Sequence, residues 1–308
     1  MPRDRIAELL SIRQRAGKYK RAPSKFDLER LKDTWHNQLK GIDPTDELIP
    51  IRIVTILEVF LRHWIEALID HGAPYVERAS KLKVDVKYDF AIAHSLQGGS
   101  VSLGQLIAHS LSLSRIESFC GVLATLLDQD IFEAISNTRD RWKAKHEGDA
   151  VGPIISDMPW VRKTLARLFE VRHILVHELP EEKPHGLNEV VEFLDAAALF
   201  VDATDEELAR RLHGEYPMTQ VEMTRDARAR HKAAITELET LYNEIALETP
   251  EIHDVQRAWL AFKEAEAERQ TQRHLGGTIR PMIYALAAEA ITRGRIVELR
   301  DWLDHRTI

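Results

Sequence analysis

Three residues near the middle of the chain carry the side chains that metal-free phosphodiester chemistry needs. Arg172, His173 and His177 lie in the segment VRHILVHELP, which Pro180 must end because proline cannot continue a helix. His173 and His177 are four residues apart and so share one helix face, whereas Ile174, Leu175 and Val176 can face the core. Arg172 lies about 140° round the helix from His177, but its long side chain can bend toward that face. The spacing alone also fits an ordinary capped helix end with two partly exposed histidines.

An imidazole beside a guanidinium can cleave RNA without a metal ion. Histidine titrates near neutral pH, so it can take a proton from a ribose 2′-hydroxyl or give one to the leaving 5′-oxygen. Arginine keeps its positive charge and can neutralise the charge that grows on the non-bridging phosphate oxygens. His177 is expected in the final helical turn, where free backbone carbonyls favour the imidazolium. The residue types therefore suit acid–base cleavage of a phosphodiester.

Other catalytic and cofactor chemistries find no motif in the sequence. There is no HExxH pair, no GxxxxGK[ST] phosphate loop and no GxSxG nucleophile elbow. Cys120 is the single cysteine, which excludes cysteine-rich zinc modules and an intramolecular disulfide, and we expect it to be a small buried apolar residue. We therefore predict no cofactor and no metal ion.

Composition predicts a globular protein that is neither a membrane span nor a general nucleic-acid coat. The 308 residues are 44% hydrophobic and 30% charged, with a formal net charge of −7. A strongly basic balance would be expected of a non-specific nucleic-acid coat, so any such contact must be a local patch. The most apolar stretch, residues 51–69, is interrupted by charged side chains. We expect a soluble, cytoplasmic protein with no membrane contact.

The spacing of apolar residues predicts an all-α fold. Apolar side chains recur every three or four residues along most of the chain, and strand-like alternation is hard to find. We expect helices from about Phe26, after Pro50 to Gly72, over 160–178 and from about Leu187 to Val201. We predict helix starts where a capping side chain is followed three residues later by Glu or Gln. These capping residues are Ser102, Ser114, Asp130 and Thr219.

Two all-α domains are predicted, with a boundary near residue 214. The first spans 1–213 and includes a helical N-terminal extension over 1–45. The second spans 214–308 and contains three long, charged, amphipathic segments, separated by Pro250 and by the Gly-Gly pair at 276–277. We therefore expect a larger helical bundle followed by a small three-helix bundle.

The first domain resembles the HEPN superfamily. The sequence Arg172-His173-x-x-x-His177 is similar to the R-x(4–6)-H signature of that superfamily, which usually has a polar residue after the arginine. A Glu58/Arg62 pair on an apolar helix resembles the first helices of these proteins. The segment SLGQLIAHSL at 102–111 is similar to the stretch that precedes the motif in a defence-associated branch. The resemblance covers roughly residues 45–205.

The HEPN resemblance implies a helical bundle with a site at a two-fold dimer interface. Many members are metal-independent endoribonucleases that act as toxins or antiphage effectors, and others are inactive scaffolds. Arg172 would stabilise the transition state, His177 would be the acid/base, and His173 would tune or orient the site. The implied products carry a 2′,3′-cyclic phosphate and a 5′-hydroxyl.

The second domain resembles the N-terminal domain of the lysozyme inhibitor LprI, over roughly residues 215–305. The similarity lies in the segments MTQVEM (218–223), LETLY (238–242), QRAWLAFKE (256–264), GGTI (276–279), TRGR (292–295) and EL (298–299). That family is usually exported and disulfide-linked, yet no cysteine follows Cys120 here. The resemblance therefore implies the helical fold without its disulfides, in a reducing compartment.

Three functional hypotheses follow. The first is an endoribonuclease that cleaves RNA as a homodimer, acting as a toxin or antiphage effector with a C-terminal sensing or binding domain. An antitoxin or a phage protein would be a further partner. The alternative is a non-catalytic HEPN module for dimerisation or for binding RNA or protein. The third makes the C-terminal domain an intracellular relative of the exported inhibitor, and the missing cysteines rank it last.

Overall fold

The all-α prediction is confirmed. The computed structural model describes residues 5–16, 24–42, 45–84, 90–178, 180–214 and 217–306, and these contain helices and no strand. Two compact units divide at Gly214, one over 1–214 and the other over 215–308. The helices of the first unit are α1 (Arg5–Ala16), α2 (Lys25–Thr34), α3 (Thr45–His71), α4 (Tyr75–Ala79), α5 (Phe90–Gln97), α6 (Leu103–Ser110), α7 (Ile116–Leu127), α8 (Ile131–Ile135), α9 (Arg141–Glu147), α10 (Met158–His177) and α11 (Leu187–His213). The second unit has α12 (Gln220–Ala246), α13 (Ile252–Thr271) and α14 (Arg280–Arg306).

Helix α3 lies at the centre of the first unit. It packs against α6, α10 and α11, and α11 in turn packs against α2 and α10. The apolar stripe of α3 is fully buried because it meets neighbours on several sides. Four phenylalanines from α7, α8, α10 and α11 extend the same core, with ring centroids 5.6–5.8 Å apart; they are Phe119, Phe132, Phe169 and Phe200. This core fixes the position of α10, which carries the predicted site.

The start of α3 differs from the prediction. The helix begins at Thr45 and contains Pro50, whereas we expected it to begin after that proline. Pro50 cannot donate a backbone hydrogen bond within the helix, but its side chain is buried. The buried carboxylate of Asp46 also holds this end, because it accepts hydrogen bonds from Trp35 Nε1 at 2.8 Å and Gly41 N at 3.3 Å. Tertiary contacts therefore compensate for the proline.

Three of the four predicted helix N-caps are confirmed. The confirmed capping residues are Ser102, Asp130 and Thr219, whose side chains accept hydrogen bonds from backbone N–H groups of the first turn. The cap at Ser114 is wrong, because α7 begins one residue later with Arg115 at the capping position. Ser114 Oγ instead lies 3.3 Å from Ser112 Oγ.

The second unit is a three-helix arrangement in which α14 packs along both α12 and α13. Its buried apolar side chains are few and mostly short. They are Ala234, Leu238, Ile245, Ile252, Ile296 and Leu299 in one cluster, Ala267, Ala287 and Ala288 in another, and Ala227 and Ala285 outside both. Alanines let the helix backbones approach closely, so the helices pack with short side chains between them.

Six of the described helices have the length of about 20 residues or more that a membrane span needs, and four of them are longer still. Helices α3, α11, α12 and α14 each have 27 residues, or about 40 Å of helix. Charged side chains recur along all four. Among the described residues, no helix joins the necessary length to the necessary apolar character for a membrane span.

Candidate active site

Helix α10 presents the three predicted site residues at its C-terminal end. Asp157 caps its start by accepting a hydrogen bond from Trp160 N at 2.9 Å, and Pro159 occupies the first turn, where a missing N–H costs little. One stripe of the helix faces the core: Val161, Thr164, Leu165, Leu168, Phe169 and Val171. The helix ends at His177, three residues before Pro180. The buried stripe therefore determines which side chains face outward.

His173 and His177 form an exposed imidazole pair. Both side chains are exposed, their ring centroids are 4.8 Å apart, and the ring planes are inclined by 48°. Arg172, which precedes His173 in the chain, is half-buried. Within the part of the chain that the structure describes, no hydrogen bond or ion pair engages any of these three polar groups. All of their donor and acceptor capacity is therefore left for a ligand or a partner.

The apolar residues between the histidines are placed differently from our expectation for one of them. Leu175 packs against the core, and Ile174 is partly buried. Val176, which we expected to face the core with them, is 42% exposed. The reason is helical geometry, because Val176 lies only about 60° round the helix from His173. An apolar side chain therefore adjoins the imidazole pair on the outer surface.

Arg167 holds the loop that follows the site helix. Its guanidinium lies 3.0 Å from Glu170 and 3.3 Å from Glu189 at the start of α11, and it donates to the Pro184 carbonyl at 2.5 Å. The same loop is tied to α3, since Lys183 Nζ lies 3.7 Å from Asp46. These contacts fix the end of α10 against its neighbours, and the sequence pattern did not reveal Arg167 as a positioning residue.

The charges around the imidazole pair are mostly negative. Glu178, Glu181 and Glu182 follow His177 in the chain and are exposed. Arg172 is the nearest cation in the sequence that lacks a carboxylate partner among the described residues. A single protomer thus offers one available guanidinium at this site. A phosphodiester would be bound more strongly if a second guanidinium converged on it.

His185 is a buried histidine that the sequence analysis did not single out. It is 7% exposed, and neither ring nitrogen has a hydrogen-bond partner within the described residues. It lies in the loop between α10 and α11, where no helical period marks a core position. Only the tertiary fold identifies it as buried.

The remaining segments that carried the HEPN resemblance have packing roles. Arg62 lies 3.7 Å from Glu58 on α3. The backbone N–H of Gly104 donates to Asp70 at 2.8 Å, and a Cβ at this glycine would lie 2.5 Å from the Glu66 carbonyl oxygen. The segment therefore allows α6 to begin in direct contact with α3, which only glycine permits.

Neither metal coordination nor a reactive thiol offers a second chemistry in the described residues. No group of three or more His, Cys, Asp or Glu side chains there is arranged to hold a metal ion. Burial raises the pKa of the Cys120 thiol to about 12, and the Asp130 carboxylate adds to the shift. The thiol is therefore protonated at neutral pH and a poor nucleophile. The imidazole pair is therefore the candidate catalytic group of the first unit.

Comparison with known proteins identifies a domain in the second unit. The family model described as "Lysozyme inhibitor LprI" matches residues 214–299. This confirms the predicted LprI-like domain, although the match covers well under half of the chain. No curated protein and no solved structure matches the chain. No family match supports the HEPN resemblance of the first unit.

Proposed function

We propose that this protein is a metal-independent endoribonuclease of the HEPN type, with Arg172 and His177 as catalytic residues and His173 as an orienting residue. The observation that carries the proposal is the exposed pair of imidazoles, 4.8 Å apart, next in sequence to Arg172, whose guanidinium has no carboxylate partner among the described residues. These groups are gathered at one helix end and have no hydrogen-bond or ion-pair partner among the described residues, so they are accessible to a ligand.

The cleavage step follows from the chemistry of the two side-chain types. One imidazole removes the proton from a ribose 2′-hydroxyl, and that oxygen forms a bond to the adjacent phosphorus. The bond from phosphorus to the 5′-oxygen breaks, and an imidazolium protonates the departing oxygen. The Arg172 guanidinium binds the non-bridging oxygens while their charge grows. The products are a 2′,3′-cyclic phosphate and a 5′-hydroxyl, and no water is consumed in this step.

A homodimer supplies what one protomer lacks. Two copies brought together at the ends of α10 would place two guanidiniums and two imidazole pairs at one phosphodiester. The exposed Val176 offers an apolar contact beside the site, and the contacts of Arg167 and Lys183 keep the end of the helix in place. We therefore expect the active species to be a symmetric pair, in the cytoplasm, acting as a toxin or antiphage effector under the control of an antitoxin or a phage protein.

The test is cleavage of total RNA by the purified full-length chain in the presence of EDTA. Arg172→Ala and His177→Ala should each lower the rate by at least about 100-fold, because general acid–base catalysis and charge stabilisation contribute factors of that size. His173→Ala should have a smaller effect. Mapping of the ends should find 2′,3′-cyclic phosphate and 5′-hydroxyl.

Matched controls use the same residue types elsewhere. His94→Ala removes an exposed histidine of α5, and Arg257→Ala removes an exposed arginine of α13. Both should cleave like the parent chain. Cleavage that persists in the Arg172 and His177 variants would eliminate this site, and would favour the non-catalytic alternative, in which the cluster binds RNA or protein.

The family match favours a second candidate, inhibition of lysozyme by the LprI-like domain. It predicts that the full-length chain slows lysis of a bacterial cell-wall suspension by lysozyme, independently of Arg172 and His177. The missing disulfides argue against it, since no cysteine lies in the matched residues. Undiminished lysis at a large excess of the protein would exclude this candidate and leave the ribonuclease proposal unaffected.

A further inference from the structure

The first half of α12 carries an exposed cationic face. Arg225, Arg228 and Lys232 lie at positions i, i+3 and i+7, within about 60° of one another round the helix and over about 10 Å of its length. All three side chains are exposed. Within the residues that the structure describes, none of them forms an ion pair or a side-chain hydrogen bond. Their charge is therefore available, in a chain whose formal net charge is −7.

The carboxylates on the same part of α12 are already engaged. Asp226 lies 3.2 Å from Arg230, which also approaches Glu289 on α14. Glu222 accepts backbone hydrogen bonds at the helix start, at 3.1 Å from Thr219 N. Asp226 is therefore paired with a cation, and Glu222 is directed to the backbone N–H groups at the helix start, so neither pairs with a cation of this face. The second unit thus leaves a local positive patch on an acidic protein.

A cleft with an aromatic wall adjoins this face. Arg228 lines it together with His231 from α12, Glu268 from α13, and Arg280 and Tyr284 from α14, and its volume is about 450 Å³. Arg280 is paired with Glu268. The Tyr284 hydroxyl donates to Glu264 on α13. That hydrogen bond fixes the ring beside the cations.

We propose that this face and its cleft, defined by Arg225, Arg228, Lys232 and Tyr284, bind single-stranded RNA. Unpaired cations along a groove neutralise successive phosphates, and an aromatic ring beside them gives a base a surface to stack on. The proposal rests on the proposed ribonuclease function, and it assigns substrate binding to the LprI-like domain. The match between positive charge and a phosphate backbone is what selects RNA as the occupant.

The experiment measures RNA binding by the full-length His177→Ala chain, which binds without cleaving. A fluorescein-labelled single-stranded RNA is titrated by fluorescence anisotropy at several salt concentrations. Replacing Arg225, Arg228 and Lys232 together by Gln should reduce the slope of log K against log salt by about 2. The expected reduction is about 0.7 for each lost phosphate contact on a single strand.

The control removes the same charge from arginines that already have carboxylate partners. Arg257, Arg269 and Arg300 pair with Asp254, Glu266 and Glu237 respectively. Replacing these three arginines by Gln should leave the salt slope unchanged. An equal loss of slope in both triple variants would show that net charge alone matters, and would overturn the proposal.

Substitution of Tyr284 tests the stacking part of the proposal independently of the charges. Tyr284→Ala should weaken RNA binding about tenfold without changing the salt slope, because stacking is not an ionic contact. Phe262→Ala removes an exposed aromatic ring of α13 that does not line the cleft, and it should bind like the parent. No measurable RNA binding, or an unchanged slope in the Arg225/Arg228/Lys232 variant, would also overturn the proposal and leave the face for an acidic protein.

The two proposals can fail separately. If the wild-type protein cleaves RNA but replacement of Arg225, Arg228 and Lys232 leaves the salt dependence of RNA binding unchanged, only the assignment of the binding face is wrong. If RNA binds with the predicted slope while wild-type protein leaves it intact, only the ribonuclease function falls.

Discussion

The two units of this protein use their polar residues differently. The first has one extended apolar core with four packed phenylalanines, and it leaves Arg172, His173 and His177 unengaged among the described residues. The second has a small aliphatic core, and its buried charged groups are paired, as Glu207 is in the first unit. Lys263, for example, is 5% exposed and lies 3.2 Å from Glu264.

This difference indicates where each unit gets its stability. An extensive apolar core stabilises a fold without polar contacts, so surface polar residues remain available for chemistry. A small core depends more on close alanine packing and on paired charges. In the second unit, the cationic face of α12 differs from the other charged groups, because Arg225, Arg228 and Lys232 have no carboxylate partner among the described residues. The following substitutions test the contrast.

The largest loss of stability is expected from the aromatic core of the first unit. Phe200 is fully buried, with ring centroids 5.7 Å from Phe119 and 5.8 Å from Phe132. Phe200→Ala should lower the free energy of unfolding by about 3–5 kcal/mol, through lost burial and the cavity left behind. Hydrogen exchange should report the loss in α7 and α10. Phe90 is 96% exposed, and Phe90→Ala should change stability by less than about 0.5 kcal/mol; equal losses would contradict the assigned core.

A smaller effect is expected where the second unit relies on small residues. Ala288 is fully buried in the cluster that joins α13 and α14. Ala288→Leu should destabilise the unit by about 1–3 kcal/mol, because the added side chain forces the helices apart. Ala229 is exposed on α12, so Ala229→Leu is the matched control and should be nearly neutral. Urea unfolding, with hydrogen exchange measured in α13 and α14, distinguishes the Ala288→Leu and Ala229→Leu variants. An Ala288→Leu variant as stable as the parent would show that the interface is loosely packed.

The sequence could predict features that depend on neighbouring residues. The capping boxes at Ser102 and Thr219 involve partners three residues away, so their patterns were sufficient. The all-α class followed from apolar spacing in the same way. The LprI-like domain was recognisable because its segments run through one continuous stretch of chain.

Features that depend on tertiary contacts could not be predicted. Helix α11 was expected to end near Val201 but continues to His213. Its last turns look polar in sequence, yet Glu207 is only 4% exposed. Distant residues contact these turns, since Thr138 Oγ1 donates to Glu207 at 3.5 Å and Arg141 of α9 lies 2.5 Å from Glu206. The proline within α3 and the buried His185 belong to the same class, because distant residues determine their surroundings.

The candidate site was only partly predictable, because some of its features depend on neighbouring residues and others on tertiary contacts. Spacing placed His173 and His177 together, but it could not show that Val176 is exposed or that Arg167 anchors the following loop. Those two facts depend on how α10 is rotated against α3 and α11, which the core decides.

A modest pH effect is expected from His231. Burial and the positive charge of Lys263 lower the pKa of its imidazole in the folded state, against a smaller opposing influence of carboxylates. Below the ordinary value of about 6.5, the unfolded chain therefore binds a proton before the folded chain does. Stability should fall as the pH falls through that window, and His231→Gln should remove this part of the fall.

His305 gives a control with the opposite sign. A hydrogen bond to the Asp301 carbonyl raises the pKa of this exposed imidazole, so its contribution is present at low pH and is lost as the pH rises through the folded-state pKa. Urea unfolding between about pH 5 and pH 8 should show His231→Gln and His305→Gln changing the slope in opposite directions. Parallel slopes for all three chains would contradict the assigned burial of His231.

The smallest effect on stability at neutral pH is expected at Tyr284. Its hydrogen bond to Glu264, helped by burial, raises the pKa of the phenol to about 12. Both side chains are partly exposed, so Tyr284→Phe should change the free energy of unfolding by less than about 0.5 kcal/mol at pH 7.

The contribution becomes visible only in alkali. Between the ordinary phenol pKa of about 10 and the folded value of about 12, the unfolded chain loses its proton first, so stability falls as the pH rises. Ultraviolet titration of wild type minus Tyr284→Phe isolates this phenol, and Glu264→Gln should return its pKa toward 10. If the Tyr284 phenol of the wild type titrates near 10, the Glu264 carboxylate does not hold this ring. The polar groups of the second unit would then be less completely paired than the contrast with the first unit requires.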